Sequence, residues 1–493
     1  TRGRLVRQLL TEALLLAAVG GAVGVLAAVW GTRVLLNALP DGVAIPRTEQ
    51  VGFSLPVFAF AAGVTLLVGA LFGLAPALAV TDTEVHQEMK ESSRGATAGP
   101  GRGRLRGAIV VSQVALAVVL LAGAGLLGRS FWRLLSVDTG IQPEQVLTAK
   151  VSLSNTRYQE AERRVVFNSE LFRRVGALPG VSAVGSVGWL PMSGDKSATG
   201  FTVVGRPAPE PGKEPGADIR SVGGDYFRVL GVPLVRGRLF TDADGLAAPR
   251  AFVVNQAFVR EHFPGENPIG RRLTVSWDED PTGEIVGVVG DERESGPAKE
   301  AAPAIYFSQR QDSWNSFTLL VRTSGDPAAL SAAVAREVRA VDPLLPVDAV
   351  RPMSSVVSDV VARPRLNAVL LGAFSAAALL LAALGIYGVI AYAVSQRTRE
   401  IGVRVALGAT PRDVLRMVVG QGVRMAAVGL GVGLVVALAA TRLMRSMLFG
   451  VEPGDPLTLA AVLATLGAVA LLASYLPARR AARTDPLVAL RAE

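Results

Sequence analysis

The chain has 493 residues, half of them hydrophobic, with no cysteine and a formal net charge of +9. The lack of cysteine excludes a disulfide framework and any thiolate metal site. The basic excess sits at the ends of apolar stretches, where membrane orientation places it, so the charge does not argue for a nucleic-acid partner.

Six apolar stretches read as membrane-spanning helices: 13–36, 54–80, 109–128, 367–395, 425–441 and 456–477. A hydrocarbon core ~30 Å thick needs about 20 apolar helical residues, and 425–441 only approaches that length. The chain opens on Arg2, Arg4 and Arg7 rather than on a cleavable signal pattern, and reads as the interior of a longer protein. Short loops rich in Arg and Lys stay cytoplasmic. Residues 1–11, the loop 81–107, the loop 396–416 and the tail 478–493 are basic, whereas 37–53 carries only Arg47 and 446–455 carries no Lys or Arg. Both ends are therefore expected inside, and the block 131–366 outside.

Residues 1–38 align without a gap to 410–447: Arg7 falls on Arg416, Gly20 on Gly429, Gly24 on Gly433 and Arg33 on Arg442. The segment 74–85 resembles 476–488. An internal repeat predicts two similar halves, of which residues 1–80 supply the end of the first and 108–130 the opening helix of the second. The stretch 81–107, rich in Gly, Ser, Pro and Arg, is expected to be a flexible cytoplasmic linker between them.

The outer block alternates strand and helix patterns. Strands are predicted at 146–153 and 181–190, with a helix over 158–178 carrying an apolar stripe of Val165, Leu171, Phe172 and Val175 and ending at Gly180. The same order recurs as 316–323, 326–341 and 345–350, with Asp326 as a cap and Pro327 at the first helical position. Two such units predict a split βαβ layer, with 200–310 as a mostly β insertion whose clearest strands are 251–255, 271–277 and 283–290. The expected fold is an α-helical membrane protein, six transmembrane helices in this chain, with one large α+β domain.

Chemistry is sparse. His86 and His262 are the only histidines and fall on opposite sides in this topology. The acidic run Asp278-Glu279-Asp280 reads as a solvated turn, and the sequence GVVGDERESG (287–296) has no phosphate-loop spacing. No GxxxxGK[ST] pattern occurs, so ATP hydrolysis would fall to another chain. The loop 396–416 combines a short amphipathic helix, with Ile401, Val405 and Leu407 on one edge and charge on the other. Gly408 and Ala409 break that helix, while Thr410 and Pro411 start the next.

QRTREIGVRVALGA (396–409), the helices that follow it, and LPARRAARTDPLVALRAE (476–493) resemble the MacB/FtsX-type ABC transporter permeases. GRSFWRLLSVDTGIQPEQVLTAKVSL (128–153), VVNQAFVREHFPGENPIGRRL (253–273) and EIVGVVGDERE (284–294) resemble their periplasmic core domain, and the two-half organisation is similar to duplicated MacB-like orphan permeases. The resemblance implies a FtsX-like permease domain over 367–477 and a MacB-like periplasmic core domain over 131–366. It implies a bacterial inner-membrane location, and a separate ABC ATPase dimer on the cytoplasmic face, with ATP bound there and no cofactor or metal in this chain. Arg397, Arg399, Glu400, Ile401, Gly402, Arg404 and Gly408 would form the coupling helix. It further implies that the missing N-terminal half, or a second permease copy, completes the assembly, and that a periplasmic or outer-membrane partner serves the outer domain. Motion of that domain, rather than conduction through a pore, would move the substrate in efflux or extraction. A ligand sensor, or a regulator of a periplasmic enzyme working through the same helices, is the alternative. MacB itself carries a fused ATPase, from which these 493 residues depart.

Overall fold

A computed structural model of the protein describes residues 2–37, 54–81, 100–207, 209–210, 214–276 and 282–482. The chain divides into two compact units, one of residues 1–130 with 366–493 and one of Phe131–Arg365. His86, most of the linker (82–99), the acidic run 278–280 and the tail from 483 lie outside the described residues.

The membrane unit holds α1 (Arg2–Asn37), α2 (Leu55–Thr81), most of α3 (Pro100–Leu135) and of α8 (Met353–Gln396), the short α9 (Thr398–Ala406), α10 (Pro411–Leu443) and α11 (Pro456–Ala481). Five of these are long and apolar enough to cross a bilayer, and α2 contributes a shorter described apolar stretch, Leu55–Ala70. The helices run past the hydropathy windows. The segment 100–107, expected within the flexible linker, is already the first turns of α3, and α10 begins at Pro411 rather than 425. Polar and basic turns such as those around Arg416 and Arg424 continue the helical hydrogen bonding while lowering the local hydropathy, so hydropathy alone clips them.

Helices α3, α8, α10 and α11 share one apolar core. Along α10 the buried positions are Val414, Val418, Gly422, Ala426, Gly429, Gly433, Ala437 and Thr441, nearly all four apart. Small residues at that spacing let membrane helices approach closely where no hydrophobic drive separates protein from lipid. A Cβ on Gly429 would stand 2.7 Å from Val114 Cβ, and one on Gly433 would stand 2.8 Å from Val118 Cβ, both on α3. Gly429→Val is therefore expected to push α10 off α3 and cost about 1–3 kcal/mol. A lower temperature for loss of the monodisperse peak in detergent would report it. Helices α1 and α2 pack on each other through Gly21 against Thr65 and Gly69 against Ala17.

The outer unit is built on eleven strands. In chain order they are β1 (Val146–Ser152), β2 (Val181–Val187), β3 (Ala198–Val203), β4 (Gly216–Gly224), β5 (Leu234–Gly237), β6 (Ala251–Asn255), β7 (Arg272–Val275), β8 (Thr282–Val289), β9 (Ala304–Ser308), β10 (Ser316–Thr323) and β11 (Val347–Pro352). The intervening helices are α4 (Ala161–Gly176), α5 (Tyr226–Leu230), α6 (Gln256–His262) and α7 (Ser331–Val341). Strands β11-β1-β10-β2 pair antiparallel in that order, with α4 and α7 as the two crossovers, which is the split βαβ layer the sequence predicts. The insertion pairs as β4-β3-β7-β8-β6-β9, and β9 returns to β4 in parallel, so these six strands close a ring. Closure removes most free edges; among the described residues β5 pairs with β8 alone.

Asp326 accepts from the Ala328 N–H as expected, but the turn it starts is a single 3-10 turn before α7. The apolar stripe of α4 is also shifted: Phe167, Asn168, Leu171 and Val175 are buried, with Val165 and Phe172 half-buried beside them. Gly180 lies past the end of the helix, which is capped at Ala177, and takes a positive φ of 85° in the turn into β2.

Candidate functional site

The loop 396–416 is a short helix between two long ones. After α8 ends at Gln396, Arg397 is the N-cap of α9. At the far end Gly408 takes φ +98°, its N–H donates to the Val405 carbonyl, and the Ala409 N–H donates to the Arg404 carbonyl. These two bonds make a Schellman stop, which favours glycine at that position. Asp413 then accepts from the Thr410 N–H at 2.9 Å and from its hydroxyl at 2.6 Å, fixing the start of α10 with Pro411 in its first turn.

The structure divides the predicted coupling residues. Ile401 is 4% exposed and belongs to the bundle core, and Gly402 is buried beside it. Their burial takes these two side chains off the accessible face and sets the short helix against the bundle core. Val405 packs half-buried on the same core. Leu407, on the edge expected to lie against the membrane interface or a partner, is exposed at 83%, and Val403 is exposed beside it. The accessible face therefore carries Arg397, Glu400, Val403, Arg404, Leu407 and Gly408. Arg404 and Glu400 form a 2.7 Å ion pair one helical turn apart, and Arg404 Nη1 also lies 2.8 Å from Met417 Sδ. A half-exposed pair of this kind adds little stability, so its value is as a patterned surface. Arg399 lies in α9 by its backbone.

In the outer unit lies a cluster not anticipated from the sequence. Arg220 on β4 is 2% exposed and is enclosed by Glu292, Glu294, Tyr226 and Tyr306. Its guanidinium contacts the Glu292 carboxylate, its Nη2 lies 3.1 Å from Glu294, and its Cζ lies 5.6 Å from the Tyr306 ring centre. Tyr226 donates to Glu292 at 2.9 Å. Burial raises the pKa of Glu292 against the pull of Arg220. Burial, again opposed by Arg220 but helped by a hydrogen bond with the Asp218 carboxyl, raises Glu294 to about 7. The glutamates belong to the glycine-rich run after β8, and Arg220 is 72 residues from Glu292; neither strand pattern nor local spacing links them. Among the described residues no group of three His, Cys, Asp or Glu could hold a metal ion.

The profile of the MacB-like periplasmic core domain matches residues 108–341, and that of the FtsX-like permease C-terminal domain matches residues 372–486. The chain is 29% identical over 292 residues to the macrolide export ATP-binding/permease protein MacB of Agrobacterium fabrum, covering 56% of this chain and 43% of that protein. It is 29% identical over 305 residues to the pyoverdine export ATP-binding/permease protein PvdT of Pseudomonas putida, covering 55% and 43%. The chain thus spans less than half the length of these curated relatives. The crystallised periplasmic region of MacB from Actinobacillus actinomycetemcomitans aligns over 45% of this chain and 95% of its own, at 13% identity and a TM-score of 0.31. With both profiles matched in order, and with long apolar helices on either side of a mixed α+β domain, the chain belongs to the FtsX-like permeases that carry a MacB-like periplasmic core domain.

Proposed function

We propose that this protein is the permease subunit of an ABC exporter in a bacterial inner membrane. An ATPase dimer on a separate chain would dock on the 396–416 loop, and its ATP-driven motion would pass through the helices to the outer domain, which moves substrate at the outer face. The observation that carries this reading is the two-sided seating of α9, with Ile401 and Gly402 held in the bundle core while Glu400, Arg404 and Leu407 remain exposed. A force on the exposed side is delivered to the bundle through packed side chains rather than through a slack tether. Only Arg397 separates α9 from α8, and α8 is helical for 44 residues from Met353, about 66 Å at 1.5 Å per residue. Pro364 lies inside α8 beside the boundary between the two units and removes one helical hydrogen bond, giving the helix a bending point there. The export direction rests on the names of the relatives, which are exporters of a macrolide and of pyoverdine.

The test is Glu400→Ala with Arg404→Ala. Copurification of the ATPase with the permease is expected to fall at least about tenfold, the effect of losing one strong interface anchor. The amount of permease in the membrane should not change, because neither side chain is part of the bundle core. Undiminished copurification would exclude the loop as the docking site.

A further inference from the structure

A cavity of about 320 Å³ opens in the outer domain between α4, the β4–α5 turn, residues 239–242 and the end of β9. That size falls in the range of small-molecule sites. Its walls are Phe172, Phe227, Leu239 and Phe240, and its polar lining is Asn168, Ser308 and Gln309, all three almost fully buried. Gly223 makes room for that lining, since a Cβ there would stand 2.4 Å from Gln309 Oε1 and 2.8 Å from Ser186 Oγ.

The hydrogen bonds of the two carboxamides do not close within the protein. Gln309 Oε1 accepts from Ser186 Oγ at 2.6 Å and from Asn168 Nδ2 at 3.4 Å, and Asn168 Nδ2 lies 3.3 Å from Ser313 Oγ. Asn168 Oδ1 and Gln309 Nε2 are left without a protein partner. An unmet acceptor and an unmet donor on two neighbouring carboxamides can be complemented by an amide group, and leaving both unmet in a buried site is costly. The terminal amide torsions are broad, so either group can turn to meet a ligand. At the mouth the charges cancel in pairs: Arg228 lies 3.4 Å from Asp225, and Arg310 lies 2.6 Å from Asp242. A rim of internally paired charges offers no net field to an ion, while three phenylalanines offer apolar area to an uncharged body.

We propose that this cavity binds a small uncharged ligand that joins an amide group to an aromatic or branched apolar body, such as a capped aromatic amino acid or the end of a short peptide. The inference does not depend on docking of an ATPase. The probe is N-acetylphenylalanine amide, titrated into the full chain in lipid nanodiscs and followed by saturation-transfer NMR. A ligand of this size with ordinary efficiency binds with a Kd in the sub-millimolar range. Ser169→Trp, at an exposed lining position of α4, should block the mouth and abolish saturable binding. Phe240→Ala should weaken it about tenfold. Acetamide, which lacks the body, and phenylacetate, which is charged and lacks the amide, should both bind far more weakly. Absence of saturable binding to the unaltered protein would overturn the proposal. So would binding unchanged in a folded Ser169→Trp variant, or phenylacetate binding as tightly as the probe.

Discussion

Arg220→Met is expected to destabilise the outer domain by about 3–5 kcal/mol, the usual result of removing one member of a buried charge network. The methionine matches the apolar stem of the side chain but leaves Glu292 and Glu294 without their cation, in a site where neither is more than 7% exposed. For a unit of this size the loss corresponds to a fall in the unfolding midpoint on the order of 10 °C. Arg220→Lys should fall between the two, because an ammonium keeps the charge without the planar fork that reaches two carboxylates at once. Trp189 and Trp314, which meet edge to face at 5.8 Å, give a fluorescence signal for the unfolding. The location of the damage is also predicted. The run 291–296 is held by the Arg293 N–H donating to the Thr139 carbonyl, by the Glu294 carbonyl accepting from the Met192 N–H, and by Gly296 lying against Val360 on α8. It thus ties β8 to the chain just after α3 and to the outer turns of α8. Hydrogen exchange in the full chain should show 218–222 and 291–296 losing protection first in the methionine variant. Uniform loss across β1, β10 and β11 would mean that the cluster is not a local joint.

The contrast between what the sequence predicted and what it missed has a physical basis. Apolar runs, strand alternation and helix stops are local patterns, and they were legible: β6 and β10 match their predicted spans to the residue, and Gly408 and Asp326 terminate and cap where their chemistry requires. The split βαβ layer, seen as β11-β1-β10-β2, also followed, because two strand–helix–strand repeats fold together in few ways. The fate of Ile401 was not legible. An isoleucine on a short amphipathic helix has the same pattern whether it faces lipid, a partner or its own bundle, and only its packing into the shared bundle core decides. The same holds for Arg220, which lies on a strand whose neighbours do not mark it as buried, and whose counter-charges come from a turn far along the chain. The carboxamides at the cavity are a third instance. Asn168 occupies a core position on α4 that simple patterning would give to an apolar residue.

Glu294→Gln should change how stability depends on pH, more than it changes stability at any one acidic pH. The carboxyl titrates near 4.5 when free and near 7 in the fold, because burial and the hydrogen bond with Asp218 outweigh Arg220. The folded state therefore holds a proton that the unfolded chain releases between those values. By linkage, this group's contribution to stability is fully present below about pH 4.5, falls as pH rises, and is gone above about pH 7. At ~1.4 kcal/mol per unit the loss is at most roughly 3 kcal/mol. Other groups titrate in or near this window. His262, packed against Phe201 and Phe258, is lowered by burial, so its neutral form is favoured in the fold and its contribution rises toward pH 6.5. Asp244 and Asp342 are lowered, Asp244 chiefly by Arg238 and Asp342 by hydrogen bonds from Leu344, Arg157 and Tyr158 that overcome its burial; both lose their contributions only in more acidic solution. The quantity to measure is the difference between unaltered protein and Glu294→Gln in urea unfolding at several pH values from 4.5 to 7.5. Glutamine keeps the neutral shape and can still donate to Asp218, so the variant should lose the downward slope and become the more stable of the two near pH 7. Parallel curves would show that Glu294 is already ionised in the fold, and that Arg220 rather than burial governs the cluster.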